Sequence, residues 1–131
     1  MEEKEFFAQY CEFVDSITSE DSKNDTQFLE RAKMLSKTLN GQYARLDTAV
    51  AGIAGEAGEI ADVWKKIKFH SKDLTEERKQ DLLYELGDMY WYLAQASMAL
   101  GVTPEEIVKM NMGKLKKRHP HGFSNEYMTK F

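Results

Sequence analysis

The sequence predicts an all-α protein, a bundle of about five helices in a single domain spanning residues 1–131. Prolines occur only at positions 104 and 120, so little interrupts helical structure over the first hundred residues. Runs of β-branched residues with alternating polarity are missing, which argues against strands. Apolar periodicity places helices at about 3–18, 26–39, 43–69, 76–100 and 104–118, and an irregular tail from about 118 to 131.

Turn-forming and capping residues set the limits of these helices. Polar segments near 19–24, 40–41 and 70–75 separate the first four. Thr103, Pro104 and Glu106 form a capping-box pattern, with proline at the first helical position. Thr75 is placed to cap the helix that follows it, and Gly101 to end that helix. We therefore expect sharp ends at residues 75–76 and 103–104.

The two longest predicted helices each carry an apolar stripe at helical spacing. The stripe of the first consists of Leu46, Val50, Ile53, Ala57, Ile60 and Trp64. The stripe of the second consists of Leu82, Leu86, Met89, Leu93, Ala96 and Leu100. We expect the two helices to pack antiparallel, joined by the loop at 70–75, with Trp64 and Leu82 in or near the shared core.

Two short acidic motifs border these stripes: Glu56-x-x-Glu59 and Glu85-x-x-Asp88. Residues three apart share one face of a helix, so packing the two helices brings four carboxylates into a small volume. At about 5 Å and an effective dielectric of about 20, each like-charged pair costs roughly 3 kcal/mol. A divalent cation offsets that repulsion, and hard oxygen ligands suit Mg²⁺ or Mn²⁺. The pattern therefore predicts a metal-dependent enzyme.

A single Glu-x-x-Glu on a helix is usually a solvated surface pair, so the surroundings of these motifs matter. Small residues adjoin both pairs, and they leave room for close helix approach or for a ligand: Gly52, Ala54, Gly55, Ala57, Gly58 and Gly87. A di-iron carboxylate bundle is the rival metal site, but it needs Glu-x-x-His motifs. No histidine of this chain has a glutamate three residues before it, so that alternative fails.

The last predicted helix carries a second polar group, Asn111, Lys114, Lys117 and Arg118. A solvated basic helix end is the simple interpretation, since the helix dipole favours cations there. Beside a metal site the same side chains would neutralise phosphate oxygens. Lys65, Lys66 and Lys68 are a weaker candidate set, and Tyr90–Tyr92 fit a core or a subunit interface better than a base-stacking platform.

Composition and charge limit the classes of partner that this chain is expected to bind. A net charge of −4 argues against general nucleic-acid binding, which needs a basic face. No apolar run approaches the roughly 20 residues needed to span a bilayer, and the acidic N-terminus lacks the pattern of a signal peptide. The one cysteine, Cys11, has no partner for an internal disulfide. We expect a cytoplasmic protein that binds neither nucleic acid nor membrane.

Three motifs in order resemble those of the MazG-like nucleoside triphosphate pyrophosphohydrolases, within the all-α superfamily that includes the dimeric dUTPases. The motifs are Gly55-Glu-Ala-Gly-Glu59, Glu85-Leu-Gly-Asp88 and Asn111-x-x-Lys114-Leu-x-x-Arg118-x-Pro120-x-Gly122-Phe123. The match runs from about Leu46 to Phe123. At one position the chain departs from the family pattern, because Gly55 stands where many members have the first of two adjacent glutamates.

The resemblance implies Mg²⁺-dependent hydrolysis of a (deoxy)nucleoside triphosphate to the monophosphate and pyrophosphate by a homodimer or homotetramer. It implies metal binding by Glu56, Glu59, Glu85 and Asp88, and phosphate contacts by Asn111, Lys114 and Arg118. Either Glu56 or Glu59 would accept the proton of the attacking water. Attack at the α- or the β-phosphorus stays open, as does the rival class, a non-catalytic helical module that binds nucleotides or proteins.

Overall fold

The computed structural model describes residues 3–70 and 73–123, and every regular element within those ranges is an α-helix. In chain order they are α1 (Glu3–Ser16), α2 (Glu20–Lys23), α3 (Asp25–Thr38), α4 (Tyr43–Phe69), α5 (Glu76–Ala99) and α6 (Pro104–Arg118). The all-α prediction is therefore confirmed. The described helices include none that is both long enough and apolar enough to cross a membrane. Most of the predicted tail lies outside the described residues.

The helix count differs from the prediction because the polar segment at 19–24, expected to be a break, contains α2. The Ser19 hydroxyl is hydrogen-bonded to the Ser22 hydroxyl at 3.0 Å, and Lys23 pairs with Glu20 across one turn at 3.7 Å. These local contacts stabilise a single turn in a sequence that has no apolar periodicity. Asn24 then accepts a hydrogen bond from the Gln27 amide and so caps α3.

The chain divides into two compact units, Met1–Tyr43 and Ala44–Phe131. In the first unit, Lys23 joins α2 to α1: its Nζ lies 2.9 Å from the Asp15 carbonyl oxygen and 3.2 Å from Asp15 Oδ2. Large apolar side chains on α1 are exposed, among them Phe6, Phe7 and Phe13. A single domain over all 131 residues stays a prediction.

In the second unit, α4 and α5 run antiparallel. Arg45 Nη1 donates a hydrogen bond to Gln95 Oε1 at 2.5 Å, and further along α4 the Tyr92 ring lies against Gly52. Residue numbers rise along one helix while they fall along the other, which confirms the predicted orientation. α4 ends at Phe69 and α5 begins at Glu76, which agrees with the predicted helix limits; positions 71 and 72 of the predicted connection lie outside the described residues.

Both predicted caps of the second unit are confirmed. Thr75 Oγ1 accepts a hydrogen bond from the Arg78 amide at 3.2 Å. The Glu106 amide donates to Thr103 Oγ1 at 3.1 Å while the Thr103 amide donates to Glu106 Oε2 at 2.9 Å, which is the reciprocal capping box. Gly101 ends α5 at a φ of 73°, a left-handed conformation that glycine adopts without steric cost.

Few large apolar side chains are buried in one chain. Among the described residues the fully buried ones are small: Ala49, Ala99 and Ser97, whose hydroxyl donates to the Leu93 carbonyl at 2.9 Å. Trp64 is 47% exposed and Leu82 is half-buried, so the shared core is thinner than predicted. Small side chains between the helices interdigitate little, and the larger apolar side chains lie on solvent-exposed faces.

Candidate active site

Three carboxylates from α4 and α5 converge in the second unit. Glu56 of α4 lies opposite Glu85 and Asp88 of α5, and one oxygen from each lies within 4.8 Å of the others. Glu56 and Glu85 are half-buried, and Asp88 is exposed. Antiparallel packing aligns the two acidic motifs at one level, so three of the four predicted acids meet in a single group.

The electrostatics of this group centre on Glu56, whose pKa is raised from 4.5 to about 7. The main cause is a hydrogen bond shared with the Glu85 carboxyl, followed by desolvation and by repulsion from Glu85, Asp88 and Glu59. Two carboxyl groups share a hydrogen bond only while one carries a proton. Glu56 Oε2 is buried and has no hydrogen-bond partner among the described residues.

This arrangement fits a divalent cation. Its ligands are oxygens alone, which suit a hard ion such as Mg²⁺. A buried oxygen without a partner and a carboxyl whose pKa is raised both indicate charge that a cation would neutralise. Because cation and proton compete for the same oxygens, binding of the metal would release the proton of Glu56.

The fourth predicted acid, Glu59, occupies a different position. It is exposed on α4, three residues after Glu56, and does not belong to the group of three. Its charge nevertheless contributes to the raised pKa of Glu56. Glu59 lines the recess beside that group, where its carboxylate is open to solvent or to a ligand.

Two recesses adjoin Glu56. The larger, of about 600 Å³, is the α4 recess, and it is lined by Asp47, Thr48, Ala51, Gly52, Gly55, Glu56, Glu59 and Tyr92. The smaller, of about 300 Å³, is lined by Glu56, Asp88, Trp91 and Tyr92. Glu56 and Tyr92 line both, so the carboxylate group lies where the two spaces meet.

The glycines of α4 have two distinct functions in this geometry. A Cβ at Gly52 would overlap the Tyr92 ring, so only glycine lets that ring lie against α4. Gly55, one turn further, has no neighbouring atom within 4 Å of where its Cβ would be and opens into the α4 recess. The small residues were predicted to allow close helix approach or to leave room for a ligand. Gly52 allows the close approach, and Gly55 leaves room in the recess.

The aromatic run at 90–92 was expected in a core or a subunit interface. Tyr90 is 73% exposed and Trp91 is 56% exposed in the single chain. Tyr92 is half-buried and packs edge-on against Trp91, with ring centroids 5.0 Å apart and planes at 87°. The Tyr92 ring also lies against Gly52, a contact that the sequence pattern could not reveal. A core or interface position for these aromatic residues stays a prediction.

The candidate phosphate-binding residues and the lysines of α4 fall into two sets. Asn111 and Lys114 are exposed on α6 and Arg118 is half-buried at its end, and none of the three lines either recess. Lys66 and Lys65 instead pair with Asp62 at 3.0 and 3.7 Å. The Lys66 ammonium, with a smaller contribution from Lys65, lowers the pKa of Asp62. These two lysines are more than half exposed and pair with an acid on their own helix.

Sequence reasoning missed Asp47, Thr48 and Tyr92 as residues of the site. A signal for Asp47 was present: Asp47, Ala51, Gly55 and Glu59 recur every four residues and so share one side of α4. Along this side of α4 the acids Asp47 and Glu59 come first and last, and the small residues Ala51 and Gly55 lie between them. Only the paired motifs were weighed, and an isolated aspartate nine residues before Glu56 carried no pattern of its own.

The second unit is thus an all-α unit in which carboxylates from antiparallel helices form a candidate metal site. The model of the MazG nucleotide pyrophosphohydrolase domain matches residues 45–123, more than half of the chain. The chain therefore belongs to the MazG family. The match includes every predicted site residue, from Glu56 to Arg118.

A relative is found in Mycobacterium phage L5. It is the Gene 37 protein, 42% identical over 79 residues, an alignment that covers 59% of this chain and 68% of the relative. The name of this phage protein does not describe an activity. No solved structure matches the chain.

Proposed function

We propose that this protein hydrolyses a (deoxy)nucleoside triphosphate to the nucleoside monophosphate and pyrophosphate in the presence of Mg²⁺, with Mn²⁺ as a possible substitute. Membership of the MazG family supports a pyrophosphohydrolase. The observation that carries the proposal is the convergence of Glu56, Glu85 and Asp88 within 4.8 Å, with a buried oxygen of Glu56 left without a partner. Removal of unwanted nucleotides from the cellular pool is the role we propose for the reaction.

The proposed metal ligands are Glu56, Glu85 and Asp88, with Glu59 as a fourth acid beside them. When bound, Mg²⁺ supplies positive charge that neutralises phosphate oxygens and polarises a water molecule. Beyond this, phosphoryl transfer requires the protein to position the substrate and to neutralise its charge, and it does not require a covalent intermediate. The two recesses on either side of Glu56 offer room for the two ends of an extended substrate.

A carboxylate of α4 is the proposed general base. Glu59 is exposed and lines the α4 recess, so it is placed to accept a proton from a water molecule there. Glu56 is the alternative, and its raised pKa puts its protonation equilibrium near neutral pH. The products are the same whether the water attacks the α- or the β-phosphorus, because either attack cleaves the α–β anhydride: the first breaks the bond from the bridging oxygen to the α-phosphorus, and the second breaks its bond to the β-phosphorus.

The cations of α6 are the proposed partners of the leaving pyrophosphate. Lys114 and Arg118 lie one turn apart on one side of α6, so both can bind one anionic group. Asn111, one turn before Lys114, would donate to the same group. None of them lines the two recesses in the single chain. Their participation therefore requires a rearrangement of α6 or a second copy of the chain.

Self-assembly is part of the proposal. Tyr84, Tyr90 and Met110 are more than 60% exposed, and apolar faces of this kind are typical of surfaces that bind another protein. We propose a homodimer or homotetramer in the cytoplasm, with nucleotides as its substrates and without nucleic-acid or membrane partners.

The direct test is a panel of canonical and modified nucleoside triphosphates, incubated with the purified protein, with pyrophosphate and monophosphate quantified. The proposal expects equal amounts of both products, turnover that requires Mg²⁺ or Mn²⁺, and loss of turnover on chelation. Release of inorganic phosphate and a diphosphate would instead indicate another reaction. Tight nucleotide binding without turnover of any substrate would favour the non-catalytic module.

A further inference from the structure

We propose that the α4 recess holds the nucleoside half of the substrate, and that Asp47 selects a base edge presenting two adjacent N–H donors, as guanine does. This inference rests on the proposed function, because it assumes that the phosphates lie at the carboxylate group. It assigns a specificity-determining function to a residue outside the paired acidic motifs.

The positions of Asp47 and Glu56 on α4 indicate how a nucleotide would be oriented in the α4 recess. Asp47 precedes Glu56 by nine residues on one helix, which corresponds to about 13.5 Å along the helix axis and about half a turn around it. The recess occupies about 600 Å³ between them, within the range of small-molecule pockets. Ala51, Gly52 and Gly55 line its middle, so no large α4 side chain fills it. Asp47 and Glu56 both line this recess, so a nucleoside that follows it around α4 from phosphates at Glu56 approaches Asp47.

Electrostatic repulsion excludes the opposite orientation. The Asp47 carboxylate forms no salt bridge within residues 3–70 and 73–123, so its negative charge is not offset locally. A triphosphate at that end would meet an unneutralised anion. At the Glu56 end the proposed cation would neutralise it. The uncharged half of the substrate therefore belongs beside Asp47.

Tyr92 supplies an aromatic wall for this recess. Its ring lies against Gly52 on one side and is braced edge-on by Trp91 at 5.0 Å. Because Tyr92 lines the recess, this placement of the nucleoside brings the base next to its ring. Because every base has a π-face, stacking contributes affinity without choosing among bases. The choice falls to a polar group at the end of the recess.

Asp47 has the chemistry for that choice. An ionised carboxylate only accepts hydrogen bonds, and its two oxygens match two neighbouring donors. Guanine presents such a pair in its ring N1–H and its exocyclic amino group. Hypoxanthine lacks the amino group, and adenine presents an acceptor beside its donor. Thr48, the next residue along the recess, donates or accepts and so does not discriminate.

The test uses full-length protein with Mg²⁺ and non-hydrolysable α,β-imido analogues of GTP, ITP, ATP and dGTP, with affinities from calorimetry. A charge-assisted hydrogen bond corresponds to about 10- to 150-fold in affinity, so the wild type should bind the GTP analogue over the ITP analogue by that factor. Asp47→Asn replaces an acceptor pair by an acceptor and a donor, which match adenine. The variant should therefore lose most of its preference for guanine over adenine.

Asp81→Asn is the matched control, because Asp81 is exposed on α5 and lines neither recess. It should leave every affinity ratio unchanged. If Asp47→Asn also leaves the ratio of GTP to ATP analogue unchanged, the inference is overturned. If it changes the ratio of GTP to dGTP analogue instead, Asp47 contacts the sugar and the base assignment is overturned. In both cases turnover of the wild type leaves the proposed function standing. Failure of the wild type to bind any of these purine analogues overturns the base assignment, whereas the proposed function is overturned only if no nucleoside triphosphate of the panel releases pyrophosphate.

Discussion

Replacing Gly52 by alanine tests the contact that forms the wall of the site. The added Cβ would lie far inside van der Waals contact of three Tyr92 ring carbons, where unstrained carbon pairs stay about 3.5–4.0 Å apart. Overpacking of this kind costs about 1–3 kcal/mol. Alanine recovers about 1 kcal/mol of helix propensity relative to glycine. The net expectation is a loss of up to about 2 kcal/mol in the free energy of unfolding.

Gly55→Ala is the matched control, because it lies on the same helix and its Cβ would meet no atom within 4 Å. It should stabilise the protein by about 0.5–1 kcal/mol through helix propensity alone. Urea denaturation followed by circular dichroism gives both values, and the two variants should differ by about 1–3 kcal/mol. Equal stability of the two variants, or a more stable Gly52→Ala, would refute the close packing of Tyr92 on α4.

Three further predictions concern the charged groups. Mg²⁺ at 100 times its Kd should stabilise the folded protein by about 2.7 kcal/mol and so raise the Tm. Glu85→Gln should abolish this rise in a thermal-shift assay. Glu56 binds its proton up to about pH 7 when folded but only to about pH 4.5 when unfolded, so its contribution to apo stability is complete below pH 4.5 and is lost as the pH rises to about 7. The apo Tm should fall over that interval, and Glu56→Gln should flatten the profile. Lys114→Ala and Arg118→Ala should each weaken triphosphate binding by about 10- to 150-fold and monophosphate binding far less, with Lys116→Ala as the control by calorimetry.

The sequence was sufficient for features with a local physical cause. Helix type followed from apolar periodicity and the scarcity of proline, and the caps at Thr75 and Thr103 followed from hydrogen bonds within one turn. The meeting of Glu56 with Glu85 and Asp88 followed from two motifs bordering the stripes of adjacent helices. Each of these depends on spacing along one or two helices, which a sequence pattern records.

Features that depend on packing between particular side chains were not predictable. The position of Tyr92 depends on its contact with Gly52, forty residues earlier in the chain, and no periodic pattern encodes that pairing. Glu59 shares a motif with Glu56 but faces the α4 recess, because two residues three apart point in directions about 60° apart. The short helix α2 arises from side-chain contacts at Ser19 and Lys23 in a segment without apolar periodicity.

The most direct test of the account measures turnover and apo stability together in Glu56→Gln. This substitution removes a repelled charge at nearly constant shape, so the apo protein at pH 8 should be as stable as wild type or more so. Mg²⁺-dependent release of pyrophosphate from the best substrate should fall by at least about 100-fold, whether Glu56 binds the metal or accepts the proton. Glu105→Gln, at an exposed ion pair on α6, should leave turnover unchanged. Near-wild-type turnover in Glu56→Gln would contradict the assignment of the carboxylate group as the catalytic centre.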